Sequence, residues 1–146
     1  MIRSCNFDPI FVKRITAKQY SSRIMNDIFP SDSNLEKFFD QQKIIEDTAA
    51  QLIKDFAEFS FEIKFTGKEK TAYEELFQQA EPVISHLLDK NNSLLFSVLY
   101  RIDVSENEIK KHTRKFPDQN MSYIITDLIL RRELKKVLTR NYFRNK

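Results

Sequence analysis

Glycine is nearly missing from this chain, at one residue in 146, and there is no tryptophan and a single cysteine. Each shortage excludes something. One glycine cannot build a backbone phosphate cradle, because such loops need several residues without a Cβ. Neither a Gly-x-x-x-x-Gly-Lys nor a Gly-x-Gly-x-x-Gly spacing occurs. Cys5 has no partner for an intrachain disulfide, and no Cys-x-x-Cys or His-Glu-x-x-His suggests zinc. No cofactor and no metal are expected. The longest nearly unbroken apolar run, residues 94–100, is far too short to span a bilayer. Residues 1–10 carry no apolar stretch of the kind found in a secretory leader, so a reducing cytoplasm is the expected compartment. With so little glycine and four prolines, tight turns are scarce, which favours helices over a many-stranded sheet.

What is present suits one soluble domain spanning residues 1–146. Hydrophobic residues make up 41% of the chain and charged ones 31%, and thirteen phenylalanines point to a Phe-rich core. The strongest helical pattern covers residues 121–146. Ile124, Ile125, Leu128, Ile129, Leu134, Val137 and Leu138 recur at helical spacing. The first half of this stretch is apolar on most faces. The second half sets Leu130, Leu134, Val137 and Leu138 against Arg131, Arg132, Lys135 and Lys136. From Arg131 onward there are seven basic residues and one acid, a net +6, so the first 130 residues carry −3 of the overall +3. Such cations can complement the helix dipole and cover apolar surface with their stems. They can also form a phosphate-binding face of Arg131, Arg132, Lys135, Lys136 and Arg140, with Tyr142 and Phe143 to stack on bases.

Upstream, residues 1–9 read as a loosely held terminus and residues 10–15 as β-compatible. Tyr20, Ile24, Met25 and Ile28 imply a helix over residues 17–29, ended by Pro30. Ser33 and Glu36 have capping-box spacing, and Leu35 through Phe56 predict a helix over residues 34–58, or two helices with a break near Asp40. Residues 59–65 then alternate, with Phe59, Phe61, Ile63 and Phe65 set against polar neighbours. They form either a short strand or an extended linker. A strand pairing across two copies would make the protein an obligate dimer. Gly67 is expected at positive φ. Thr71 with Glu74 and Ser105 with Glu108 repeat the capping-box spacing. The first opens a helix to about Lys90, containing Pro82, and the second a short polar helix to about Lys115, with a loop at residues 116–118 before the last helix. Ser93 reads as the N-cap of residues 94–102, which are apolar nearly all round and so are expected to be the most buried helix.

Residues that could carry chemistry are few. His86 faces away from its helix's apolar side. Glu108 and His112 lie one turn apart as a solvated pair. Arg101 and Asp127 sit in apolar surroundings, and burying either alone is costly. They are expected to form a buried ion pair with each other, or to find partners in Asp103 and in Arg131 or Arg132. The alternative leaves both wet at an end of the bundle.

Two stretches, SVLYRIDVSE at residues 97–106 and DLILRRELKKVLTRNYF at residues 127–143, resemble segments of small uncharacterised bacterial proteins of unknown function. That likeness implies a bacterial cytoplasmic protein and assigns no site. The expectation is therefore an all-α, single-domain bundle of five or six helices with at most one short strand. Its expected role is a non-catalytic cytoplasmic interaction or assembly protein, working with a protein partner or with itself as a homodimer, and away from membranes. The alternative is a nucleic-acid-binding protein using the basic C-terminal helix.

Overall fold

The computed structural model describes residues 41–67 and 72–144, without the side chain of Tyr142. The expectations for residues 1–40 and for Thr71 lie outside these. The described residues form five helices and no strand: α1 (Gln42–Ala57), α2 (Ala72–Lys90), α3 (Asn92–Ile102), α4 (Glu106–Lys115) and α5 (Met121–Arg144). The protein is an all-α bundle.

α5 is its centre and packs against all four other helices. It starts where Asn120 caps it: Ser122 N donates to Asn120 Oδ1 at 3.1 Å. From Ile124 to Arg131 every residue is buried, so this stretch has no solvent face. That fits a sequence with apolar side chains all round. α1 meets it with Ile45, Ala49, Leu52 and Phe56, and α2 with Tyr73, Leu76, Phe77, Ala80, Ile84 and Leu87. α2 runs unbroken through Pro82, which is exposed. The carbonyl of Gln78 that loses its donor there sits on an exposed residue, where water can replace it. α4 opens with the expected capping box: Glu108 N donates to Ser105 Oγ at 3.2 Å and Ser105 N to Glu108 Oε2 at 2.9 Å.

Several expectations change. α1 begins at Gln42 after an extended Gln41, so no continuous helix runs through Gln41 as drawn over residues 34–58. Of the two readings of residues 59–65, the extended linker holds and the strand does not. Residues 61–67 form an extended strap whose backbone bonds to α2 side chains. Thr66 N donates to Glu75 Oε1 at 2.7 Å, and Lys64 N to Gln79 Oε1 at 3.4 Å. Glu75 and Gln79, one turn apart, thus replace a neighbouring strand on one edge. Ile63 on the strap enters the core, and Phe61 and Phe65 pack against it. Gly67 has the expected positive φ, 70°, and its carbonyl accepts from Gln42 Nε2 at 3.2 Å. α3 is capped by Asn91 Oδ1, which accepts from Leu94 N at 3.1 Å, two residues before the expected Ser93. Nor is α3 the most buried helix. Leu95, Val98, Leu99 and Ile102 face the core, while Phe96 and Tyr100 face outward.

The glycine shortage shows at the helix ends. Ser60 (φ 65°) and Asp103 (φ 71°) adopt the left-handed conformation that glycine takes without cost. After α1, Ser60 N donates to Ala57 O and Phe61 N to Phe56 O. After α3, Asp103 N donates to Tyr100 O and Val104 N to Leu99 O. Each is the bond pair of a Schellman motif, and the Phe61–Phe56 ring contact (6.3 Å, edge-on) is its usual apolar clasp. Ser60→Gly is therefore expected to stabilise the fold by about 1 kcal/mol, and Ser60→Val to destabilise it, as read from urea unfolding midpoints. Equal midpoints for the two variants would show that this backbone is not strained.

Candidate functional site

A helix as enclosed as α5 has to dispose of its polar residues inside the bundle. Two buried ionic clusters result. In the first, Arg131 Nε lies 2.7 Å from Asp127 Oδ2, with 3% and 0% of the two side chains exposed. Their i, i+4 spacing puts both on one side of α5. Tyr73 OH, from α2, donates to Asp127 Oδ1 at 3.0 Å. His112, from α4, is buried nearby, its charge state influenced by both Arg131 and Asp127. Its Nδ1 lies 2.6 Å from the carbonyl oxygen of Glu108, which assigns the proton to Nδ1 as donor. Burial pushes its pKa below the usual value and keeps the ring neutral.

The second cluster joins α1, α3 and α5. Asp55 and Glu133 are 2% and 0% exposed, and their carboxyl groups lie within hydrogen-bonding reach of each other. Lys136 Nζ is 3.1 Å from Glu133 Oε1 and 3.6 Å from Asp55 Oδ2. Arg101 Nε is 3.4 Å from Asp55 Oδ1, and its Nη2 pairs with Glu58. Gln51 Nε2 donates to Asp55 Oδ2 at 3.0 Å, and Arg140 Nη2 donates to Gln51 Oε1 at 2.8 Å. Burial pushes Glu133 up to about 7, with the charge on Asp55 adding to the effect against the pull of Lys136. Burial also acts to raise Asp55, but hydrogen bonds from Gln51 and Glu133, with Lys136 and Arg101, hold it below its usual value. Two carboxyl groups in one dry site share it by leaving one protonated, and Glu133 is that one.

These contacts redraw the sequence-predicted residues. Arg101 and Asp127 are not partners: Arg101 belongs to Asp55 and Glu58, while Asp127 takes Arg131, one of its expected partners, together with Tyr73. Arg101 lies on the outer edge of α3, 43% exposed, while Asp127 is at the centre. The expected solvated pair of Glu108 and His112 is instead a buried ring on a backbone carbonyl, and the Glu108 carboxylate meets Arg132 at 2.8 Å. Within the expected phosphate face, Arg131 is buried and closed to any phosphate. Arg132 pairs with Glu108 and, at 3.7 Å, with Asp103. Lys136 serves the two carboxyls, Lys135 is half-buried, and only Arg140 stands in the open.

Two other features lie on the surface. Lys110, Lys111, Arg114 and Lys115 are exposed on α4 around a hollow of about 500 Å³. Reading that helix merely as polar passed over their grouping, though i, i+4 spacing of Lys110 with Arg114 and of Lys111 with Lys115 signals it. A cleft of about 290 Å³ lies between α1 and the last turns of α5. Among the described residues no group of His, Cys, Asp and Glu could hold a metal ion. No described helix is long and apolar enough to cross a membrane.

Glu133 gives the bundle a pH dependence of defined sign. Its folded pKa, about 7, is above the ordinary value of 4.5, so between these the folded chain keeps a proton that the unfolded chain has released. The stability that Glu133 contributes therefore falls as pH rises from 4.5 to about 7 and levels off above, by on the order of 3 kcal/mol. Glu133→Gln keeps a donor for Asp55 without the titration, so the stability of wild type relative to this variant is expected to fall across the window, the opposing titration of buried His112 being common to both. A difference between the two proteins that does not change with pH would show that Glu133 ionises normally.

No family model matches this chain, and neither the curated proteins nor the solved structures give a match.

Proposed function

We propose that this chain is a non-catalytic interaction protein that associates through the outer face of α3, most simply with a second copy of itself. The observation that carries this reading is an aromatic pair: Phe96 is 50% exposed and Tyr100 89%, one turn apart on a helix whose other side lies in the core. Ser93 and Ser97 share that outer stripe, so α3 itself places no long side chain between the rings. Arg101, the nearest cation, is drawn away to Asp55 and Glu58. Exposed aromatics of this kind are costly to hydrate and are the residue types that anchor protein interfaces. A two-fold axis near Ser97 would set Phe96 of one copy against Tyr100 of the other, using the same patch on both. The non-catalytic part of the reading draws support from the two ionic clusters, whose titratable groups are packed inside the bundle and hold helices together. The lone cysteine supports a reducing, cytoplasmic setting.

Sedimentation equilibrium tests the proposal. Wild type is expected to self-associate in the micromolar range, and Phe96→Ser/Tyr100→Ser to remain monomeric with an unchanged thermal melt. The same oligomeric state for both proteins at every concentration overturns it.

A second reading, nucleic-acid binding, is favoured by α4 rather than by the C-terminal helix, because Lys110, Lys111 and Arg114 present their charges outward. In a filter-binding assay it requires affinity that falls steeply with salt and is lost in Lys111→Ala/Arg114→Ala. No binding at low salt ends it.

A further inference from the structure

The basic character of α5 changes along its length. Arg131, Arg132 and Lys136 face buried or half-buried carboxylates. Arg140 and Arg144, at i, i+4, reach past the last of these carboxylates to the cleft beside α1. Lys54 on α1 lines the same cleft, so cations from two helices converge there. One acid, Asp47, lines it too and leaves a net +2. Among the described residues, neither Lys54 nor Arg144 has an ion-pair partner.

We propose that this cleft binds a small phosphoryl-bearing polyanion, with Lys54, Arg140 and Arg144 as its ligands. Three cations gathered around a single carboxylate repel one another, and an anion placed among them removes that cost. Arg140 is already oriented for the task. Gln51 Oε1 accepts from its Nη2 at 2.8 Å, and Gln51 is itself fixed by its bond to the buried Asp55. A guanidinium has five N–H donors, so this anchor leaves others for an incoming oxygen. Holding the fork in place beforehand lowers the ordering cost of binding. The cleft volume of about 290 Å³ is at the small end of ligand pockets. It admits one or two phosphoryl groups and is far too small for a duplex. The rest of the lining, Ala50, Gln51, Val137 and Asn141, brings no further charge. A multiply charged tetrahedral anion matches both the charge and the size, and a monovalent carboxylate matches neither as well.

Isothermal titration with inorganic pyrophosphate at low ionic strength tests this. Wild type is expected to bind at one site with sub-millimolar affinity. Lys54→Ala/Arg144→Ala, two surface changes that a circular-dichroism melt would show to leave the fold intact, should weaken binding at least tenfold. Lys111→Ala/Arg114→Ala removes the same charge from α4 and should leave binding unchanged. Absence of heat at low ionic strength overturns the proposal. So does equal weakening in the two double variants, which would mean attraction to net charge and no site. A parallel titration with adenosine monophosphate separates the sources: tighter binding than pyrophosphate assigns a nucleoside phosphate, weaker binding the free anion. The outcome is independent of the α3 face, whose variant Phe96→Ser/Tyr100→Ser should bind pyrophosphate as wild type does.

Discussion

Enclosure of α5 from Ile124 to Arg131, with Glu133 and Leu134 beyond, means that every ionisable group on that stretch has to be neutralised by the bundle itself. Three such groups occur, Asp127, Arg131 and Glu133, and each is answered differently. Asp127 and Arg131 answer each other within one helix, and Tyr73 supplies the hydroxyl that ties the pair to α2. Glu133 has Lys136 on its own helix but meets Asp55 across the interface with α1, so it gives up its charge and keeps a proton. The apolar core sets which helices touch α5. These polar contacts fix the rotation at which they touch it, because turning α1 or α2 would strand a buried carboxyl group.

The two clusters also divide the bundle's connections. Tyr73 and His112 bring α2 and α4 to one side of α5, while Asp55 and Arg101 bring α1 and α3 to the other. A buried pair of this kind costs desolvation energy that its own attraction only partly offsets. Its value lies in excluding alternatives, since an apolar helix of this composition could otherwise slide or rotate among isoenergetic packings.

What sequence alone disclosed follows from how local the governing interaction is. The final helix, the Ser105–Glu108 capping box and the positive φ of Gly67 each depend on residues within a turn or so, and all three were legible. For the strap two readings stay open in the sequence, strand or extended linker, because alternation reports only an extended segment with one face buried. What completes its hydrogen bonds is Glu75 and Gln79, on a helix that follows it in the chain. In α3, apolar content all round does not mean burial all round, because the side that faces the core is decided by neighbours distant in sequence. Arg101 shows the limit plainly. A cation in an apolar run does require a partner, as argued, yet its partner Asp55 is 46 residues away and no local pattern singles it out.

The same reasoning explains why a count of charges overstated the basic face of α5. Seven basic residues from Arg131 onward suggest a continuous cationic surface. In the fold their roles vary with depth: Arg131 is structural, Arg132 and Lys136 are half-committed to carboxylates, and Arg140 and Arg144 lie beyond the core's edge. Since a cation held by a buried carboxylate can reach a ligand only by leaving that carboxylate uncompensated, the cost of recruiting it rises toward the middle of the helix. Capacity to bind an outside anion is thereby concentrated at the tip, where α1 contributes Lys54 to the same cleft. A uniformly basic sequence becomes, once folded around a buried core, a structural helix with a local point of attraction at its end.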